Sequence, residues 1–286
     1  MDKDNMRMFI VTKGRYDAIS THKVFKDLDY TIVVHNEEEK QKYCANPTID
    51  PARVVVSGVP TGQYGQVHQL NFVFDNLTEK GEWFLFADDD ILSLTAVPEP
   101  YYKAPALDVK SKEIDWKAIY DTPCSNERFV AICREMIEVA GRIGAHWCGF
   151  AAVDNFFFRG KKWATSAYVV GVLTLSQNTG LRFDPEISMS DMAMTAEQLF
   201  TYGSILVNHY VCPINRHFLK GGLGVYEDRI PYRLKDCEIL MKRYAGLFRY
   251  RKSYPGVKNY VPKTDLQIRL HNKKQVAAWR KKMGVI

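Results

Sequence analysis

Three consecutive carboxylates, Asp88, Asp89 and Asp90, stand between two apolar runs in "EWFLFADDDILSL", residues 82–94. Adjacent carboxylates repel one another, and at the end of a buried strand they also lose hydration. A divalent cation relieves both costs. Hard oxygen ligands suit magnesium or manganese, and these cations in turn favour phosphate oxygens. If the segment stays extended, alternate side chains share a face. Asp88 and Asp90, spaced D-x-D, are then the expected metal ligands, with Asp89 facing away or orienting its neighbours.

The elements around the triplet explain its position. "MRMFIVT" (6–12), "YTIVVH" (30–35), "RVVVS" (53–57) and "EWFLFAD" (82–88) read as strands rich in β-branched and aromatic residues. Between them, "GRYDAISTHKVFKDL" (14–28) has weak helical spacing, and "EEEKQKYC" (37–44) and "QVHQLNFVFDNL" (66–77) read as helices. Strand and helix in alternation predict an α/β sheet of parallel type, covered on both faces. In such sheets ligands bind beyond the carboxyl ends of the strands, which is where the triplet falls. Further along, 98–116 reads as an irregular insertion. A convincing amphipathic helix follows over 126–145, then a strand over 167–176. The pattern continues with a helix over 190–203 capped by Ser190, a strand over 204–213 and a helix near 233–248.

The 286 residues carry a net charge of +6, distributed unevenly. Arg229–Ile286 holds 16 Lys and Arg against 3 Asp and Glu, which leaves 23 basic and 30 acidic residues elsewhere. A basic end of this kind favours a polyanion, nucleic acid first. Its tyrosines and tryptophan, among them Tyr244, Tyr250, Tyr254, Tyr260 and Trp279, are candidates for stacking on bases. The six cysteines form no C-x-x-C pair or compact His/Cys cluster, so a zinc site is not expected and reduced thiols are. No apolar run is long enough to span a membrane, and the opening "MDKDNMRMFI" has no signal-peptide layout. The expected location is cytoplasmic.

"FIVTKGR", "YTIVVHNEEEKQKY", "PTGQYGQVHQLNFVFD" and "WFLFADDDI" together resemble the nucleotide-sugar-binding half of a GT-A-fold glycosyltransferase. The wording T-K-G-R, then T-H-K, then V-V-H-N-E-E-E-K-Q-K-Y resembles more narrowly the phage TET-associated glycosyltransferases, which are linked to sugar transfer onto 5-hydroxymethylcytosine in phage DNA. The resemblance implies a GT-A-type Rossmann-like mixed sheet flanked by helices. It divides the chain into a catalytic domain over 1–228, with a nucleotide-sugar half (1–97) and an acceptor half (98–228), and a basic helical extension over 229–286. It also implies Mn2+ or Mg2+ as cofactor, a UDP-linked or other nucleotide sugar as donor, and double-stranded DNA containing 5-hydroxymethylcytosine as partner inside an infected bacterial cell.

By position, the resemblance sets Thr12, Gly14 and Arg15 against the nucleotide, His35 and Glu37 against base or ribose, and Gly62, Gln66 and His68 near the diphosphate. Asn71 would face the sugar nucleotide, and Asp89 would support the donor. In the second half, many inverting members begin a helix with Glu-Asp. Here the pair is Ser190–Asp191, making Asp191 the expected general base and Asp184 the second choice. His217 is the expected third metal ligand, with His209 as competitor. Lys220, beside Gly221, Gly222 and Gly224, would neutralise the leaving diphosphate. A saccharide, lipid or protein acceptor is the first alternative. A sugar nucleotidyltransferase is the second, disfavoured because "VTKGRYDAIS" lacks the glycine-rich run of that class.

Overall fold

The computed structural model describes residues 6–60, 65–215, 226–253 and 260–286. In chain order the strands are β1 (Arg7–Val11), β2 (Asp29–Val34), β3 (Val54–Val56), β4 (Trp83–Ala87), β5 (Ile91–Ala96) and β6 (Trp147–Phe150). They continue with β7 (Trp163–Ala164), β8 (Leu173–Gln177), β9 (Leu206–Asn208), β10 (Val211–Asn215), β11 (Phe248–Tyr250) and β12 (Leu266–Ile268). Eight of them form one sheet in the order β3-β2-β1-β4-β8-β6-β9-β7. β1, β2, β3 and β4 run parallel, β8 enters antiparallel between β4 and β6, and β9 is again parallel to β6. This is a mixed α/β sheet flanked by helices, as expected.

Period-two alternation drives the layering. Met8 and Ile10 of β1 enter one core with Ile32, Val34, Leu85 and the helix Asn126–Ile143. Phe9 and Val11 enter the opposite core with Phe84, Phe86 and the helices Gly65–Phe72 and Ser190–Thr201. The helix Asn126–Ile143 starts on a Ser125 cap that accepts from the Arg128 N–H at 3.2 Å, and it ends at Gly144 with φ of 69°. Each large side chain on its buried stripe contributes roughly 1.5–3 kcal/mol.

The basic C-terminal segment shares the second core. Cys237, Leu240, Tyr244, Leu247, Phe248, Val276 and Trp279 pack there with Met192, Ala196 and Leu199. The segment is a helix (Tyr226–Arg243), an antiparallel β11–β12 hairpin and a second helix (Lys273–Lys282). Two of its expected base-stacking rings are therefore unavailable. Trp279 packs on Phe200 and donates from Nε1 to the Ala245 carbonyl at 2.9 Å, and buried Tyr244 bonds Glu197. Arg280 caps the carbonyls of Phe200 and Thr201 at 2.8 and 2.7 Å. Lys252, Lys273, Lys274, Lys281 and Lys282 remain exposed.

Several boundaries differ from the sequence reading. The expected strand over 167–176 begins only at Leu173, because the chain before it bends around Asp191. The run 204–213 splits into β9 and β10 at a turn over His209 and Tyr210. Of 14–28, only Thr21–Val24 is helical. Ser190 is not a cap but lies inside its helix. The C-terminal segment holds the chain entering this helix: buried Asp236 Oδ2 accepts from the N–H groups of Ser188 and Met189 at 2.9 and 3.0 Å and from the Ser188 hydroxyl at 2.5 Å. All six cysteines are free, and no helix among the described residues is long and apolar enough to cross a membrane.

Candidate active site

Because β1, β2, β3, β4, β6 and β9 point the same way, their carboxyl ends make one edge of the sheet. The antiparallel β8 begins on that edge. Thr12, His35, Asp88 and the Gly171–Val172 approach to β8 all lie along it.

The acidic triplet is not extended. Asp88 leaves β4 with its N–H bonded to the Val172 carbonyl at 2.8 Å, and Asp89 and Asp90 form a turn before β5. The turn breaks the side-chain alternation expected of a strand, so Asp89 does not face away from the cluster. Its Oδ2 accepts from the Thr12 hydroxyl at 2.5 Å and its Oδ1 from Arg15 at 2.6 Å. Arg15 also reaches Asp90 Oδ2 at 3.2 Å. Thr21 holds the backbone from below: its hydroxyl donates to the Asp88 carbonyl at 2.5 Å and accepts from the Ile91 N–H at 3.0 Å. Tyr43, at 2.6 Å from the Thr12 hydroxyl, closes the network.

The electrostatics are unbalanced. Burial pushes the Asp88 carboxyl well above the usual range, and repulsion from Asp89, Asp90 and Asp191 adds to it. Burial also raises Asp89, against the opposing pull of Thr12 and Arg15. Burial works against the Arg15 charge, yet Asp89 and Asp90 outweigh it and hold that guanidinium more firmly protonated than usual. Among the described residues, the one guanidinium bonded to the turn is that of Arg15, against three carboxylates and the nearby charge of Asp191. Asp90 Oδ1 is buried and has no hydrogen-bond partner. An orphaned carboxylate oxygen beside a second desolvated carboxylate fits an oxygen-coordinated divalent cation. The ligand set is incomplete on its own: among the described residues no three His, Cys, Asp or Glu side chains form a metal-binding group. His217 lies outside the described residues, as do Gly62, Lys220 and Gly222. The described chain does lead toward the turn, for Asn215 at the end of β10 pairs with Ile91, the residue after Asp90.

Asp191 is near enough to Asp88 for its charge to add to the rise of the Asp88 carboxyl. It sits in the first turn of the helix Ser190–Thr201. Its Oδ2 accepts from the Tyr168 hydroxyl and from the Gly171 N–H at 3.2 Å, and its Oδ1 accepts from the Met192 N–H at 2.9 Å. Gly171 allows a close approach there, since a Cβ on it would sit 3.3 Å from the Asp191 Cβ, tighter than an ordinary contact. A glycine inside the apolar run "YVVGVLTL" is the sequence signal for such a close approach. Asp184, the second choice for base, is committed to an ion pair with Arg243 and has no part in the cleft.

On the nucleotide side the expectations divide. Gly14 adopts φ of 66° and donates its N–H to Glu39 Oε1 at 3.1 Å. Glu39 also accepts from the His35 N–H at 3.1 Å, so Glu39, not the exposed Glu37, ties the first two loops together. Glu37 is one of three acids favouring the start of the helix Glu37–Cys44. His35 is buried against Gly65, its charge disfavoured by burial, with Nε2 unpartnered. Gln66 is half-buried in the first turn of the helix Gly65–Phe72. Asn71 holds the Phe183 backbone: its amide donates to the Phe183 carbonyl and accepts from the Phe183 N–H, both at 2.8 Å. Gln69, unforeseen, donates to the carbonyls of Thr12 and Val33, both at 3.1 Å. His209 is far along the edge beside Trp163, held neutral by burial and Arg159 with a pKa lowered to about 4. It belongs to no acidic ligand group among the described residues.

No family description matches the sequence, and no curated protein does either. Two solved structures share its chain path in part. S. aureus TarS 1–349 is 12% identical over 82% of this chain, with a TM-score of 0.42, and the match takes in 65% of that chain. A mycobacterial protein is 12% identical over 92% of this chain and 84% of its own, with a TM-score of 0.45.

Proposed function

We propose that the chain is a divalent-metal-dependent glycosyltransferase that moves a sugar from a nucleotide diphosphate sugar, UDP-linked, to 5-hydroxymethylcytosine in DNA. One observation carries the catalytic part of this reading. A well-bonded carboxylate, Asp191, faces a cluster of desolvated carboxylates at the ligand edge of a GT-A-type sheet, and Asp90 Oδ1 in that cluster is buried without a partner.

Asp88, Asp90 and His217 would hold the cation, which neutralises charge on the donor diphosphate. Residues 1–97 carry the donor and 98–228 the acceptor. Arg15, Thr12 and Asp89 set the shape of the turn. Asp191 takes the proton of the acceptor hydroxyl as that oxygen bonds to the anomeric carbon. The bond from that carbon to the diphosphate breaks, and the nucleoside diphosphate leaves with the electron pair. A single displacement of this kind inverts the anomeric centre. The DNA acceptor is supported by the resemblance of the first 90 residues and by the lysines exposed on the C-terminal segment.

The test is mass spectrometry of 5-hydroxymethylcytosine DNA incubated with a panel of nucleotide sugars and manganese, with and without chelator. The expected product is DNA heavier by one sugar, lost with chelator and with Asp90→Asn. Transfer to a saccharide or lipid but not to DNA would move the acceptor assignment. Formation of a sugar nucleotide from a sugar phosphate would replace the reaction class.

A further inference from the structure

A cavity of about 180 Å³ opens beside Asp191, between the chain that leads into β8 and the β11–β12 hairpin. Tyr168 belongs to both sites: it lines the cavity, and its hydroxyl donates to Asp191 Oδ2. Met192, the residue after Asp191, also lines it. Leu266 and Ile268 of β12 supply a further wall, and both are buried in the second core. The hairpin is held from behind. Arg251 Nε lies 2.9 Å from Asp265 Oδ2, and Arg233 donates to the Thr264 carbonyl at 2.8 Å and to Asp265 Oδ1 at 3.1 Å. Burial raises the Asp265 carboxyl, Arg233 and Arg251 oppose the rise, and the charge of Asp191 adds to it. The C-terminal segment therefore reaches the surroundings of the expected base.

The cavity holds one polar group that the fold does not use. Ser166 is 6% exposed and lines the cavity, and no group among the described residues bonds its hydroxyl. A hydroxyl removed from bulk water costs stability until a partner satisfies it. The volume equals roughly six waters, room for a single ring and its substituent. Apolar walls with a few polar groups suit a flat ring. The charge around the cavity suits phosphate. Residues 249–275 hold eight Lys and Arg against Asp265 alone, and that acid is buried and paired. The helix Ser190–Thr201 adds Asp191 and Glu197, and the chain over 164–172 adds no charge. Arg269, Lys273 and Lys274 are exposed beside His271, which lines the cavity from the surface. A neutral saccharide makes no use of such a rim, whereas a nucleic acid does.

We propose that this cavity receives the acceptor base: the chain before β8 and the C-terminal hairpin together hold the ring of 5-hydroxymethylcytosine, turned out of the duplex, with its hydroxymethyl group toward Asp191. This rests on the reading of DNA as acceptor. An enzyme that works on a paired base must extrude it into a pocket, and aromatic and apolar walls then replace the lost stacking. Tyr168 sets the distance, because one side chain touches both the cavity and the base catalyst. Ser166 bonds the ring, and Arg269, Lys273 and Lys274 hold the flanking phosphates. The acceptor site thus extends beyond 98–228 into the C-terminal segment.

The test uses the full chain and two short duplexes. One carries 5-hydroxymethylcytosine for transfer kinetics, and the other carries 5-iodocytosine at the acceptor position for photocrosslinking and peptide mapping. The crosslink should fall on the peptide of Tyr168 or of His271. Ala167→Phe, which fills the cavity from its wall, should lose about tenfold or more in kcat/KM for DNA and the crosslink, with its manganese-induced thermal shift kept. Ser166→Ala should raise KM for DNA about threefold to tenfold without lowering the melting temperature, because the hydroxyl bonds nothing within the fold. This second variant keeps the test decisive if Ala167→Phe fails to fold. A wild type that modifies DNA but crosslinks elsewhere, or a Ser166→Ala variant with wild-type kinetics, overturns the cavity as the base pocket and leaves the DNA acceptor standing. A wild type that neither crosslinks to DNA nor modifies it overturns both.

Discussion

Manganese should stabilise this protein by an amount that the acidic turn sets. Without a cation, Asp88, Asp89, Asp90 and Asp191 have, among the described residues, one guanidinium bonded to their turn, that of Arg15. A cation that binds the folded chain alone stabilises it by RT ln(1 + [L]/Kd), about 2.7 kcal/mol at a hundredfold excess over Kd. A chain of 286 residues unfolds with an entropy near 0.6 kcal/mol/K, so the expected rise in melting temperature is about 4–5 °C. Differential scanning fluorimetry against manganese concentration reads it directly.

The pH dependence follows from the raised Asp88. A carboxyl whose folded pKa exceeds its ordinary value of 3.8 binds more protons folded than unfolded between the two values. Its contribution to apo stability is therefore present at low pH and lost as pH rises through the folded pKa. Protons and metal compete for the same oxygens, so the manganese shift should be largest at neutral pH and shrink on acidification. Asp90→Asn should fold and lose the shift. A wild type without any shift, or an equal shift in Asp90→Asn, would refute the cation socket.

Two further outcomes follow from the same geometry. Asp236→Ala leaves two backbone N–H groups and a hydroxyl without their acceptor at the start of the Ser190–Thr201 helix, and should cost about 2–4 kcal/mol in denaturant unfolding; a change under 1 kcal/mol would show that water replaces the carboxylate. Tyr168→Phe removes a hydroxyl donor from Asp191 Oδ2 and should lower kcat about 5- to 30-fold with the melting temperature kept; an unchanged kcat would remove Asp191 from the proton transfer.

Much of the frame was legible in the residues. β-branched runs alternating with helical spacing specified the parallel β3-β2-β1-β4 half, and the apolar run into Asp88 put the triplet at the ligand edge, because both signals are local and periodic. The role of Asp191 came only from the resemblance, and its nearness to Asp88 only from the fold: the two residues are about a hundred positions apart, and β8 inserts antiparallel beside β4 between them in the chain. Local propensity also misjudged the triplet itself. A turn needs few residues and leaves no period, so the alternation argument gave Asp89 the wrong direction, and Thr12 and Arg15 now hold it. The basic tail shows the same division. Its charge is a property of composition and could be counted, whereas which of its side chains reach solvent was decided by packing. Tyr244, Arg280 and Trp279 are used to seat the segment on the helix Ser190–Thr201, and the lysines left over are those the second core had no use for. Composition and period are carried by neighbouring residues; contacts and exposure are set by chain segments that only the tertiary structure brings together.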